Sequence, residues 1–173
     1  LPAGTPGYTV RDCPPIKDAF IRREAEFIHS LDTRPILMTE SGELSTGLKS
    51  ALVADSVGTS LYRQVWSPLL GKFFTYPLPP SFYAHKANLL KPWVSRFIVS
   101  ELQLEAWAPK GILNLSIEEQ LKNLSVEEMR STIKYARAAG IDEIYAWGTE
   151  WWWWLKLKGY PQLWETVREE FAK

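Results

Sequence analysis

Four short apolar runs, each closing on polar or aromatic residues, constrain the fold more than any other feature. They cover residues 36–39, 57–62, 97–100 and 143–146. Each is short enough for a strand and apolar enough to be buried on both faces, as in a parallel sheet. Helix-like stretches separate them. Residues 18–31 place Phe20, Ala25, Phe27, Ile28 and Leu31 within reach of one helix side. Residues 44–54 give a weaker helix, interrupted by Gly47, and residues 81–93 a third. A short helical turn is expected around residues 117–121. Ser125 opens the next helix with Glu128 in a capping box, and Gly140 closes it. Pro161 starts the last helix, which runs to about Phe171. This alternation predicts an α/β fold with right-handed crossovers.

The loops are read from Pro, Gly and length. Residues 1–15 hold Pro2, Pro6, Pro14, Pro15, Gly4 and Gly7, which predicts a loop. Residues 67–80 form a long aromatic and Pro-rich connection, and loops of that length are usually functional. The 173 residues suit one domain.

Composition narrows the chemistry. Twenty basic and twenty acidic residues balance, and no basic run suggests a nucleic-acid partner. No apolar run reaches the roughly 18 residues of a membrane span, so no membrane partner is expected, and no signal peptide is visible. Cytoplasmic and secreted locations are equally compatible. Cys13 is the single cysteine and reads as a buried or loop thiol. His29 and His85 read as surface helix residues. No His, Cys and carboxylate spacing suits a metal, and no cofactor is expected. No GxGxxG or GxxxxGK[ST] follows any strand, which weighs against a nucleotide-binding fold. Nine Trp stand out. Aromatics near strand ends suit the flat apolar faces of sugar rings, although they also fill cores.

The strand ends carry the candidate chemistry. Glu101 follows the third run, and an apolar strand delivering a Glu at its C-terminal end is how (β/α) barrels present catalytic groups. On that stretch alone, Glu101 also reads as a loop cap or the partner of an Arg. The four strand ends read TESGE, SLYRQVW, SELQLEAW and YAWGTEWW. In that order they resemble strands five to eight of a retaining glycoside hydrolase (β/α)8 barrel, of the cellulase-like clan with catalytic glutamates on strands four and seven. The resemblance implies that the chain is the C-terminal half of such a barrel, with residues 1–15 leading in from strand four. It implies Glu101 as nucleophile, Tyr62 beside it, and Trp147 lining the sugar subsite. The clan's acid/base Glu follows an Asn, and no Asn-Glu pair occurs here. The acid/base is therefore expected from an N-terminal half-barrel, because a full barrel takes roughly 250 residues, and the chain alone is expected to be inactive on ordinary glycosides. That half would be covalent or a separate chain, with self-association as the other way to cover two raw sheet edges.

Retention needs two carboxyl groups about 5–5.5 Å apart, one attacking the anomeric carbon and one transferring the proton. Tyr62 or Arg63 is expected to hold Glu101 ionised. Glu40, Glu43, Glu105 and Glu150 are local candidates for a second carboxyl, or bind sugar hydroxyls or pair in salt bridges. Gln103 joins the substrate-binding candidates. Trp66, Trp107, Trp147 and Trp151 are the candidates for stacking on sugar. Trp152, Trp153 and Trp154 cannot all face one site, and Trp93 and Trp164 are expected in the core. A non-catalytic carbohydrate-binding or structural half-barrel is the alternative.

Overall fold

The computed structural model describes residues 16–67, 71–107 and 111–172. The leading segment 1–15, with Cys13, and Pro109 lie outside the described residues. The chain folds in the order α1 (Asp18–Leu31), β1 (Leu37–Glu40), α2 (Leu48–Ala51), β2 (Ser56–Leu61), β3 (Gln64–Ser67), β4 (Lys72–Thr75), α3 (Pro80–Leu90) and β5 (Arg96–Gln103). A 3₁₀ turn at Ile112–Asn114 follows. The chain ends in α4 (Ile117–Asn123), α5 (Val126–Ala138), β6 (Ile144–Trp147), α6 (Thr149–Leu157) and α7 (Gln162–Phe171).

The main sheet is parallel throughout and runs β1-β2-β5-β6. Its four strands lie side by side in chain order, with no reversal. Right-handed crossovers in that order put the connecting helices on one face. The expected α/β alternation with a parallel sheet is present. The connection at residues 67–80 differs from its expectation. It contains half of a hairpin, in which β3 pairs antiparallel with β4 from Gln64↔Thr75 to Ser67↔Lys72. Trp66 and Phe73 meet edge to face across it, which is how a short hairpin gains stability.

One apolar core sits between β2, β5 and helices α3 to α7. Leu61, Val99, Leu102 and Leu104 meet Tyr83, Met129, Ile133, Trp152 and Leu155 there. A smaller cluster of Ala51, Val57, Leu90 and Val94 lies under α2, and Phe97 touches both. The expected capping box of Ser125 and Glu128 is formed, and Ser116 and Glu119 form a second one at the start of α4. Pairing of each Ser with a Glu three residues on satisfies two free backbone N–H groups per helix.

Helix α1 has the expected bounds but not the expected burial. Only Ala25 is buried, while Phe27 is 63% and Leu31 72% exposed, with Phe20 and Ile28 also open. The apolar side exists and faces away from this core. Trp93 is a second correction: α3 stops at Leu90, and Trp93 lies half exposed in the following turn.

The turn after β1 packs directly on β2. A Cβ on Gly42 would lie 1.7 Å from the Ser60 carbonyl oxygen, a backbone atom that cannot swing away. Gly42→Ala is expected to lower unfolding free energy by about 3 kcal/mol, read as a lower urea midpoint.

Candidate functional site

The third apolar run is longer than its sequence suggests, and it contains Glu101. Strand β5 carries a bulge, because Thr59↔Val99 is followed by Ser60↔Glu101, and Val99↔Ile144 by Leu102↔Ala146. One extra residue thus enters β5 near Ser100. Side chains alternate along a strand, so an unbroken β5 would send Val99 and Glu101 to the same face. With the bulge, Val99, Leu102 and Leu104 all reach the helix-side core, and Glu101 is turned to the other face.

There Glu101 borders a cavity of about 480 Å³ with Glu40, Glu43, Tyr62 and Trp107. Leu44, Val65 and Tyr76 add apolar wall. Tyr62 Oη donates to Glu101 Oε2 at 3.0 Å. The Tyr62 ring meets Trp107 edge to face at 5.5 Å, and Trp107 is 47% exposed. Burial, and then the charge of Glu101, raises the Tyr62 phenol well above its ordinary value. Tyr62 therefore stays protonated and serves Glu101 as a neutral donor.

Glu43 anchors that donor. Its Oε1 accepts from the Tyr62 backbone N–H at 2.8 Å and from Tyr83 Oη at 2.5 Å. Burial, and then the bond to Glu43, raises the Tyr83 phenol in the same direction. Glu40 is taken up by the fold. Lys86 Nζ donates to Glu40 Oε1 at 2.6 Å and to the Gly42 carbonyl at 2.9 Å. Both side chains of this ion pair are only 4% exposed. Glu40 is thus a buried wall of the cavity, fixing the turn 41–43, and not an open catalytic carboxyl.

The remaining expected site residues divide. Gln103, a substrate-binding candidate, holds the hairpin. Its amide accepts from Gln64 N–H at 3.0 Å and donates to Gln64 C=O at 2.6 Å. Val65, next to that clamp, and Tyr76, just past β4, both face the cavity. Gln103→Leu keeps the volume and strands both Gln64 backbone groups, at about 1–3 kcal/mol. It is expected to raise amide exchange across residues 64–75 well before it lowers global stability.

Arg63 does not reach toward Glu101: its guanidinium carbon lies 4.4 Å from the Tyr135 ring centre. With Gln103, Glu105 and Trp107 it borders an adjoining cavity of about 210 Å³. Burial, and then the charge of Glu150, raises the Glu105 carboxyl. Glu150 itself is exposed in the first turn of α6. Trp66 packs on Phe73 in the hairpin.

Trp151 is a correction. It is 6% exposed, and its indole N–H donates to Gln120 Oε1 at 2.8 Å, so its ring belongs to the core. Gln120 is buried in turn, donating to the Ile112 and Leu115 carbonyls. Trp152 is buried too, donating to Leu104 C=O at 2.6 Å. Trp153 is partly open against Trp164, with Lys156 Nζ 5.1 Å from both ring centres. Trp164 packs against the core from a partly buried position. Trp147, half exposed, ends the edge strand β6. Gly148 follows with φ 122°, and a Cβ there would lie 2.9 Å from the Leu104 carbonyl oxygen, so only glycine lets α6 start this close to β5.

Leu44, Val65, Tyr76 and Tyr83 are among the contributors that strand-end reasoning missed. Tyr83 lies on α3, two turns before Lys91, and nothing in its helical stretch marks it as a support of Glu43. No group of His, Cys, Asp and Glu suited to a metal occurs among the described residues. No described helix is long and apolar enough to cross a membrane. No protein-family model, curated protein or solved structure matches the chain.

Proposed function

We propose that this cavity is the nucleophile side of a retaining glycosidase site acting on O-glycosidic bonds of oligo- or polysaccharide. The observation that carries the reading is Glu101 on the cavity face of a bulged strand, bonded to a phenol that stays protonated. Glu101 attacks the anomeric carbon as the bond to the leaving oxygen breaks, giving a glycosyl ester that water then opens with net retention. Tyr62 orients the carboxylate, and Trp107 offers an apolar face to the sugar ring. The four parallel strands in chain order support the further reading that the sheet is strands five to eight of a (β/α)8 barrel. The open edges of β1 and β6, and the outward apolar side of α1, suit an N-terminal half-barrel carrying the acid/base carboxyl. Self-association is the other way to cover them.

The occupation of Glu40 by Lys86, and of Glu43 Oε1 by two tyrosines, favours a second reading. In it the cavity binds carbohydrate without cleaving it, or keeps only the form of a site. The two are separated with dinitrophenyl glycosides of gluco, galacto, manno and xylo configuration. Their phenolate leaves without a proton, so the first step needs no general acid. The glycosidase reading expects release of dinitrophenol and, with azide present, a glycosyl azide of retained configuration. Saccharide binding without release on any of the four overturns it in favour of the binding reading.

A further inference from the structure

The charges around the cavity name the kind of sugar it takes. Resting on the saccharide reading above, we propose that the cavity accepts sugar units without an acidic substituent, neutral or amino-bearing, and excludes uronates and sulfated or phosphorylated sugars. Glu40, Glu43 and Glu101 all border it, and among the described residues no Lys, Arg or His does. Lys86 touches Glu40, and it is spent on that carboxylate and the Gly42 carbonyl. Arg63 is turned to Tyr135. The donors that reach Glu43 and Glu101 are a backbone N–H and two phenols. None of these cancels a charge.

The acceptors left over point the same way. Both bonds to Glu43 fall on Oε1 and the bond to Glu101 falls on Oε2. One oxygen of each therefore takes no hydrogen bond from a described residue. Glu40 Oε2 is buried, in a side chain only 4% exposed, and has no donor among the described residues. A carboxylate oxygen without a donor calls for a hydrogen and repels a second anion. Hydroxyl and ammonium groups supply hydrogens, whereas a sugar carboxylate or sulfate supplies further lone pairs and charge. A like charge a few ångströms from two carboxylates in a partly buried site weakens binding by about a hundredfold or more.

The test is titration calorimetry of the full chain at low salt. The probes are defined tetrasaccharides of glucose, mannose, xylose, galactose, glucosamine and galacturonate. A Trp107→Ala variant, altered at an exposed ring, ties any binding to the cavity. The proposal expects at least one neutral or glucosamine probe to bind and to be lost in Trp107→Ala. Galacturonate is expected about a hundredfold weaker or silent, and Glu43→Gln is expected to narrow that gap to about tenfold. Galacturonate binding as tightly as the best neutral probe overturns the proposal and leaves the saccharide reading standing. Silence of all six probes overturns the saccharide reading and this proposal with it.

Discussion

Glu101→Gln is expected to abolish turnover of dinitrophenyl glycosides, by about 10⁴-fold or more in kcat/KM. Glutamine keeps the shape, still accepts from Tyr62 Oη through its carbonyl, and sits on the same bulged strand. What it lacks is a nucleophilic oxygen able to form the ester. The fold therefore survives, and far-UV circular dichroism and the urea midpoint are expected to stay near those of the parent. Saccharide binding is expected to persist, because Trp107 and the other walls are untouched. A variant that keeps a tenth of the parent rate would show that Glu101 is not the attacking group.

The largest stability effect is expected at Lys86. Removing one partner of a buried ion pair leaves the other charge without compensation and costs about 3–5 kcal/mol. Glu40 and Lys86 are each 4% exposed, and Lys86 also holds the Gly42 carbonyl, so Lys86→Met strips a buried carboxylate of its counter-charge and a carbonyl of its donor. A urea midpoint well below that of the parent is the expected result. The companion variant Glu40→Leu/Lys86→Met removes both charges and is expected to recover most of the loss, since apolar replacement of a whole buried pair is often close to neutral. Equal destabilisation of the single and the double variant would mean that the Gly42 contact, and not the pair, dominates.

Much of the fold was legible because burial and capping leave local marks. The bounds of α1, the Ser125 box and the four strands follow from apolar period, Ser-x-x-Glu and short apolar runs. The hairpin was not, since Gln64–Ser67 and Lys72–Thr75 lack strict alternation and sit among prolines and aromatics. The length of β5 was readable in principle. Its apolar positions run 97, 99, then 102 and 104, and that change of phase is the trace of the bulge. Of the expected site, Glu43, Tyr62, Glu101 and Trp107 meet at one cavity. Glu40 borders it but is claimed by Lys86, a partner 46 positions away on α3 that no local pattern announces. Trp151 went to the core for a similar reason: a run of four Trp on a helix faces every direction, and only the packing of Gln120 decides which rings are buried. The outward side of α1 has the period of a buried helix, and periodicity tells that a face is apolar, not what covers it.

The central claim is that Glu101 forms a covalent bond to the anomeric carbon. The direct measurement is the intact mass of the full chain after incubation with dinitrophenyl 2-deoxy-2-fluoro glycosides of several configurations, followed by peptide mapping. Fluorine slows both steps and the phenolate departs unaided, so the ester accumulates. One added fluoroglycosyl unit on the peptide bearing Glu101, absent in Glu101→Gln, is the predicted result. A label on another residue, or none with any configuration, would contradict it.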